Sequence, residues 1–212
     1  MMQTQPIYFP SLETINQAAK NLEGVAYKTP LNKNSNLSKQ FDANILFKRE
    51  DLQVVRSYKI RGAYNKMSSL TSDEKQRGIV CASAGNHAQG VALSCKLLQI
   101  KGTIFMPSPT PNQKINQVKM FGEDFIDVII QGDTFDDAFN ASKLECDLKN
   151  KIFIHPFNDK KVIEGQATVG LEILDQTSEK IDYVFVPIGG GGLSAGLSSV
   201  FKYLSPETKI IG

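Results

Sequence analysis

Three short segments carry residue types that could bind anions or act as a nucleophile. The first is a run of four glycines, Gly189, Gly190, Gly191 and Gly192, between an apolar stretch and a segment of helical period. Glycines let main-chain N–H groups converge, and the start of the next helix carries partial positive charge, so this turn suits a phosphate. It lacks the Lys-Ser/Thr ending of a nucleotide P-loop. An ordinary tight turn between a strand and a helix is the alternative.

The second segment, residues 83–88, reads Ser-Ala-Gly-Asn-His-Ala and opens a predicted helix that runs to Leu98. Its small residues leave room for a ligand, while Ser83, Asn86 and the free amides of a first helical turn could bind a carboxylate. Ordinary helix capping explains the same residue types. His87 on its own is typical of a hydrogen-bonded packing residue rather than of a catalyst.

The third segment places Lys59 at the predicted start of a helix. A helix start carries partial positive charge, which disfavours a protonated amine, so we expect a lowered pKa and an amine able to attack a carbonyl. The alternative is a solvated surface lysine, one of the 24 lysines and arginines in the chain. A nucleophilic lysine, a phosphate site and a carboxylate site are together what an enzyme needs to hold pyridoxal phosphate and to present an amino acid to it.

The elements that must position these segments alternate along the chain. Apolar runs of strand length occupy residues 44–48, 78–82, 102–106, 125–130, 152–155 and 183–188, and helical spacing fills the gaps. One predicted helix begins after Pro111, a residue well suited to a first helical turn. This alternation predicts an α/β fold, with a parallel sheet covered by helices on both faces. Residues 209–211 resemble the start of a further strand, so we expect the sequence to belong to a longer protein.

Composition and charge narrow the class of protein. Hydrophobic residues make up 41% and charged residues 22% of the chain, as in soluble globular proteins. A net charge of +2 is too small for a dedicated nucleic-acid binder. The sequence has neither a cationic leader nor a long apolar run, so we expect a cytoplasmic protein that does not enter a membrane. Three scattered cysteines and two distant histidines predict no metal site.

Taken together, the motifs resemble those of the serine and threonine dehydratases, in the tryptophan-synthase-β-like group of pyridoxal phosphate enzymes. They are Ser-Tyr-Lys-Ile-Arg-Gly-Ala at residues 57–63, Ala-Ser-Ala-Gly-Asn-His-Ala-Gln-Gly at residues 82–90, and the four glycines. The resemblance runs from about Lys28 to the end. It implies conversion of L-threonine to 2-oxobutanoate and ammonia, the first step of isoleucine biosynthesis, and of L-serine to pyruvate. It also implies a homodimer or homotetramer.

The resemblance implies a role for each matching residue. Lys59 would bind the cofactor covalently and move the proton at the substrate Cα. Tyr58 would pack near the cofactor ring, and Asn86 would bind the phenolic oxygen of the cofactor. Main-chain amides of Gly189, Gly190, Gly191, Gly192 and Leu193 would hold the phosphate. Ser83, Gly85, Asn86 and His87 would bind the substrate carboxylate.

The implied fold has two domains. Residues 1–77 and 154–212 would form a large cofactor-binding domain, truncated at its C-terminal end, while residues 78–153 would form a small mobile domain that clamps the substrate. The residue that contacts the pyridine nitrogen would lie after Gly212, as would any regulatory domain.

Several alternatives stay open. A serine racemase or serine dehydratase belongs to the same cofactor group, but serine racemases carry a second serine, as a proton donor, where this sequence has Ala84. Ile60 differs from the Lys-Asp-Arg pattern of cysteine and threonine synthases. An inactive, truncated relative that only binds a ligand or a partner subunit is a non-enzyme alternative. A nucleotide-binding module explains the glycines, but neither Lys59 nor residues 83–87.

Overall fold

The computed structural model describes residues 8–212, so residues 1–7, assigned above to the large domain, lie outside the described residues. The helices are α1 (Leu12–Asn21), α2 (Ser35–Gln40), α3 (Lys59–Ser68), α4 (Ser72–Arg77), α5 (Asn86–Leu98), α6 (Asn112–Gly122), α7 (Phe135–Leu148), α8 (Lys160–Asp175) and α9 (Gly192–Leu204). The strands are β1 (Leu31–Lys33), β2 (Leu46–Lys48), β3 (Ile79–Ala82), β4 (Gly102–Met106), β5 (Ile126–Ile130), β6 (Ile152–Phe153), β7 (Tyr183–Phe185) and β8 (Lys209–Ile211). Within residues 8–212, no helix is both long enough and apolar enough to span a membrane.

Four strands form a parallel sheet in the order β5-β4-β3-β6. The chain runs outward from β3 through β4 to β5, and then returns to the other side of β3. In sheets of this kind, ligands bind at the carboxyl ends of the strands, at the point where the strand order reverses. Here that point lies between β3 and β6.

Residues of β3 point alternately into two apolar cores. Ile79 and Cys81 pack in a cluster with residues of α3, α5 and α6, whereas Val80 and Ala82 pack with α7 on the opposite face. All four side chains are fully buried. Helices therefore cover both faces of the sheet, which confirms the predicted α/β architecture.

Two short strand pairs lie outside this sheet. Strands β7 and β8 are parallel, with α9 between them in the chain. Strands β1 and β2 are antiparallel, and this pair was not predicted. Two of the three residues in β1 are exposed, so the strand has no apolar run that would identify it in the sequence.

Helix α3 lies very close to both α5 and α8. A Cβ atom built at Gly90 of α5 would lie 3.0 Å from the carbonyl oxygen of Lys59, and one at Gly165 of α8 would lie 2.5 Å from that of Arg61. A side chain at Gly165 would therefore displace backbone, which is more costly than moving a flexible side chain. The first turn of α3 is held from two sides.

Candidate active site

The loops that follow β3 and β6 meet at the carboxyl edge of the central sheet. Strand β3 leads through residues 83–85 into α5, and β6 leads through residues 154–159 into α8. His87 joins the two loops, because its Nε2–H group donates to the carbonyl oxygen of Ile154 at 3.0 Å. The predicted carboxylate segment thus lies where sheets of this kind bind ligands.

Ser83, Gly85 and Asn86 form an open turn before α5. The Ser83 hydroxyl accepts a hydrogen bond from the Gly85 amide at 3.2 Å, and no side chain caps the helix. Capping by Ser83 or Asn86, the alternative considered above, is therefore absent from this turn. Within the described structure, the amides of residues 86–88 have no protein acceptor, and a Cβ atom at Gly85 would meet nothing within 4 Å. Free amides beside open space suit a carboxylate.

The side chain of His87 is directed into the protein and is 3% exposed. Burial lowers the pKa of His87 to about 3, against the opposing effect of its hydrogen bond to Ile154. The ring is therefore neutral near pH 7 and serves packing. Any contribution of His87 to carboxylate binding would come from its main-chain amide.

We expect His87 to destabilise the protein in acid. Its pKa is about 3 in the folded state and about 6.5 in an unfolded chain, so between these values the unfolded chain binds the proton more readily. As the pH falls from about 6.5 towards about 3, this residue should lower the free energy of unfolding by up to about 1.4 kcal/mol per pH unit. His87→Gln keeps an N–H donor without a titratable ring and should show a shallower decline. Chemical denaturation across this pH range measures the difference, and parallel curves would contradict the assignment.

Lys59 is the first residue of α3, as predicted. Its Nζ atom donates to the carbonyl oxygen of Pro156, in the loop after β6, at 2.8 Å. Burial lowers the pKa of the Lys59 amine. The direction is as predicted, and burial is its cause. A partly desolvated amine is suited to act as a nucleophile or a base.

The four glycines connect β7 to α9, and the last of them, Gly192, is the buried first residue of the helix. Gly189 and Gly190 are exposed, and Gly191 precedes the helix with a φ of 83°, a value that favours glycine. Among residues 8–212, no acceptor is found for the amides of residues 192–194. A Cβ atom at Gly189 would meet nothing within 4 Å. The turn therefore offers unpaired amides and open space at a helix start, which suits a phosphate.

Phe157 brings the glycine turn close to Lys59. Its ring lies against Gly190, where an added Cβ atom would be 2.2 Å from the ring, and its carbonyl oxygen lies 2.9 Å from the corresponding position at Gly192. Phe157 directly follows Pro156, whose carbonyl oxygen binds Lys59. One dipeptide thus contacts both the lysine and the glycine turn.

Tyr58 and Leu193, both predicted to contact the cofactor, pack against the same apolar cluster. Its buried members include Val186 and Leu197. Burial raises the pKa of the Tyr58 phenol, so the ring stays neutral at ordinary pH. The cluster joins the start of α3 to the start of α9.

A buried ionic network, which the sequence analysis missed, lies beside Lys59 on α3. Arg61 is 1% exposed and donates to both carboxylate oxygens of Glu50 at 2.8 Å and to those of Glu172 at 2.6 and 3.0 Å. Lys48 also pairs with Glu172. The two carboxylates are 11 and 111 residues from Arg61 in the chain. No local spacing rule connects them, so the sequence carried no signal for the network.

The described residues fit pyridoxal phosphate. They provide an amine of lowered pKa, one open turn with free amides for a carboxylate, and a second for a phosphate. Within the described part of the chain, no cluster of three or more histidine, cysteine, aspartate or glutamate side chains could hold a metal ion.

Comparison with known proteins gives a family match over residues 22–212, to the family described as pyridoxal-phosphate dependent enzyme. The chain is similar to L-threonine dehydratase biosynthetic IlvA of Halalkalibacterium halodurans, with 54% identity over 202 residues, covering 95% of this chain and 48% of the relative. The protein of the same name from Bacillus subtilis is 51% identical over 197 residues, covering 93% and 47%. The chain thus spans about half the length of these relatives.

Solved structures include two similar folds. The processed form of threonine deaminase isoform 2 from Solanum lycopersicum has a TM-score of 0.86 and 40% identity, covering 100% of this chain and 63% of that one. Maize serine racemase has a TM-score of 0.90 and 33% identity, covering 96% and 60%. Both similarities extend over nearly all of the present chain.

Proposed function

The chain belongs to the pyridoxal-phosphate dependent enzymes, and we propose that the intact protein dehydrates and deaminates L-threonine to 2-oxobutanoate and ammonia, and acts also on L-serine to give pyruvate. The observation that carries this proposal is the meeting of Lys59 and both anion-binding turns around residues 154–157. The names of the two relatives support threonine as the substrate and a biosynthetic role.

Each proposed cofactor contact uses a group that the fold leaves available. Lys59 would hold the carbonyl end of the cofactor through its amine, and the free amides of residues 189–193 would hold the phosphate. Asn86, exposed at the start of α5, would bind the phenolic oxygen, while Tyr58 would pack near the ring. When bound, pyridoxal phosphate supplies a conjugated ring that accepts the electrons released at the substrate Cα.

Lys59 would also move the proton at the substrate Cα. Its lowered pKa increases the fraction of free amine near neutral pH, which a general base requires. The hydrogen bond to Pro156 restrains the amine before the substrate arrives. His87 is a poor alternative base, because its ring is buried and donates to Ile154.

The turn at residues 83–87 would orient the substrate by its carboxylate. Unpaired amides at the start of a helix attract an anion, and Ser83 and Asn86 add polar side chains at the rim. Fixing the carboxylate limits rotation of the substrate and so fixes the direction of the Cα–H bond, which is how bound orientation accelerates a reaction.

The proposal includes closure of a small domain, residues 78–153, on a large domain formed by residues 1–77 and 154–212. All four strands of the central sheet lie within the proposed small domain. However, Ala63 and Met67 of α3 share the apolar core of that sheet. Closure would therefore slide α5 along α3 while keeping this core together, and it would exclude water from the substrate.

Serine racemase is the second candidate activity, favoured by the likeness to the maize enzyme. Racemisation requires a proton donor on the opposite face of the substrate from Lys59. Ala84, at the position where serine racemases carry that donor, has no such group. We therefore favour dehydration over racemisation.

The experiment that tests the function is an absorbance titration of the intact protein. We expect a visible band from bound pyridoxal phosphate that changes on addition of L-threonine, with release of 2-oxobutanoate and ammonia. Turnover of L-serine is compared under the same conditions, and a chiral assay detects D-serine. Predominant D-serine formation would favour the racemase. A bound cofactor without any turnover would indicate an inactive relative.

We also propose that the intact protein works in the cytoplasm as a homodimer or homotetramer. The assembly follows from the family resemblance, and light scattering of the purified protein would determine it.

A further inference from the structure

The turn after β6, residues 155–158, is organised by one histidine. The Nδ1 atom of His155 accepts hydrogen bonds from the amides of Phe157 at 3.2 Å and Asn158 at 2.8 Å. Because Nδ1 accepts both bonds, it carries no proton, and the neutral ring has its N–H at Nε2. We call residues 155–158 the bridging turn.

The bridging turn contacts two proposed parts of the active site. Its Pro156 carbonyl accepts the hydrogen bond of Lys59, and its Phe157 ring packs against the glycine turn at Gly190. The His155 and Phe157 rings are perpendicular, with centroids 4.6 Å apart. His155 therefore contacts Phe157 in two ways: its ring packs against the Phe157 ring, and its Nδ1 atom accepts a hydrogen bond from the Phe157 amide.

The surroundings of His155 favour the neutral ring. Burial, the largest cause, lowers its pKa, and the charges of Lys143 and Lys59 act in the same direction, whereas Asp159 opposes them. The ring of Phe153 also lies near His155, at a centroid distance of 6.1 Å. A neutral ring keeps Nδ1 available as an acceptor.

The end of the bridging turn is fixed separately. Asp159 caps α8 by accepting from the amides of Lys161 and Val162, and it pairs with Lys66. These bonds hold the start of α8 but leave the amides of Phe157 and Asn158 to His155. Loss of the histidine acceptor would therefore free the turn between two fixed elements, β6 and α8.

We propose that His155 is a positioning residue for the cofactor site. His155 accepts hydrogen bonds from two amides of the bridging turn and so holds Phe157 against the glycine turn. This contact preorganises the amides that would bind the phosphate. The same hydrogen bonds align the Pro156 carbonyl with Lys59. This inference rests on the proposed function, since it assumes that the glycine turn receives the cofactor phosphate. Preorganisation raises affinity because less order must be created on binding.

The test compares two ligands that differ only in the phosphate. Dissociation constants of pyridoxal phosphate and of pyridoxal are measured for the cofactor-free intact protein, for His155→Leu and for His155→Asn. Leucine removes the acceptor, whereas the Oδ1 atom of asparagine can replace Nδ1. We expect His155→Leu to weaken pyridoxal phosphate binding about tenfold but pyridoxal binding less than about threefold, and His155→Asn to remain within about threefold of wild type for both.

The outcomes distinguish failure of the positioning role of His155 from failure of the proposed function. If His155→Leu weakens the binding of pyridoxal phosphate and of pyridoxal by the same factor, or weakens neither, the ratio of the two dissociation constants is unchanged. That result would overturn the proposal that His155 positions the glycine turn. A wild-type protein that binds neither ligand would overturn the proposed function, and the inference with it. If His155→Leu does not fold, His155→Gln takes its place, since the side-chain amide of glutamine lies one carbon further from the backbone than Nδ1 of histidine and cannot replace it. Its expected result is the same as for leucine.

Discussion

Replacing Lys59 with alanine is expected to abolish threonine deamination by the intact protein and to leave its folding stability nearly unchanged. Catalysis should fall by at least about 10³-fold, because the amine is proposed both to attach the cofactor and to move a proton, and a positioned acid or base alone contributes about 10²–10⁴-fold. The stability of the cofactor-free protein should change by no more than about 1 kcal/mol, since Nζ makes one hydrogen bond, to Pro156. Activity is measured with cofactor, and thermal unfolding is measured on cofactor-free samples of both proteins.

Two further variants test whether the loss of activity is due to the Lys59 amine itself. Lys59→Arg keeps the charge and a donor for Pro156 but provides no primary amine, so it should be as inactive as alanine. Lys75→Ala, on α4 and outside the site, should keep wild-type activity. Borohydride reduction followed by peptide mass analysis should find the cofactor on Lys59 in the wild type. Deamination retained by Lys59→Ala would refute its assignment.

Replacing Arg61 with leucine should strongly destabilise the protein, by about 3–5 kcal/mol. The guanidinium is buried between Glu50 and Glu172, and its removal leaves two partly buried carboxylates facing each other with Lys48 as the remaining nearby cation. Arg61→Lys should lose less, because it keeps the charge but cannot reproduce the paired hydrogen bonds to both carboxylates. The midpoint of chemical denaturation measures each loss.

Arg49 provides a matched control for the buried arginine. It also pairs with a carboxylate through two hydrogen bonds, at 2.8 and 2.7 Å to Asp51, but both side chains are exposed. Arg49→Leu should therefore leave the midpoint of chemical denaturation nearly unchanged. Equal losses at Arg49 and Arg61 would show that burial does not decide the contribution of these pairs.

The fold was most predictable where strands are buried on both faces. Every residue of β3 and β4 is buried. Each strand therefore appears in the sequence as an apolar run, interrupted in β4 only by Thr103, and both lie within one residue of their predicted bounds. Strand β7 was predicted to reach residue 188 but ends at Phe185, shortly before Pro187, which has no amide to continue the pairing. Pro111 precedes α6 as its cap residue rather than lying in its first turn.

The family, the cofactor and the fold class were predictable because their motifs are local, and the comparisons confirm them. The contacts around Lys59 were not. His155 was assigned to a strand over residues 152–155, whereas β6 ends at Phe153, and its role emerges only from the turn that follows. Burial of Lys59 and the partners of Arg61 also depend on residues far away in the chain. The roles of individual site residues and the domain division stay predictions.

The close packing of α3 between Gly90 and Gly165 has a consequence for how such an enzyme could diversify. Added volume at either glycine would push against the main chain of α3, so few substitutions at these two positions would be tolerated. At Gly85 and Gly189, by contrast, an added Cβ atom would meet nothing. New substrate preferences, whether from natural drift or from directed evolution, should therefore arise first in the open turn at residues 83–87, which is proposed to bind the substrate, while the helix that carries Lys59 stays unchanged.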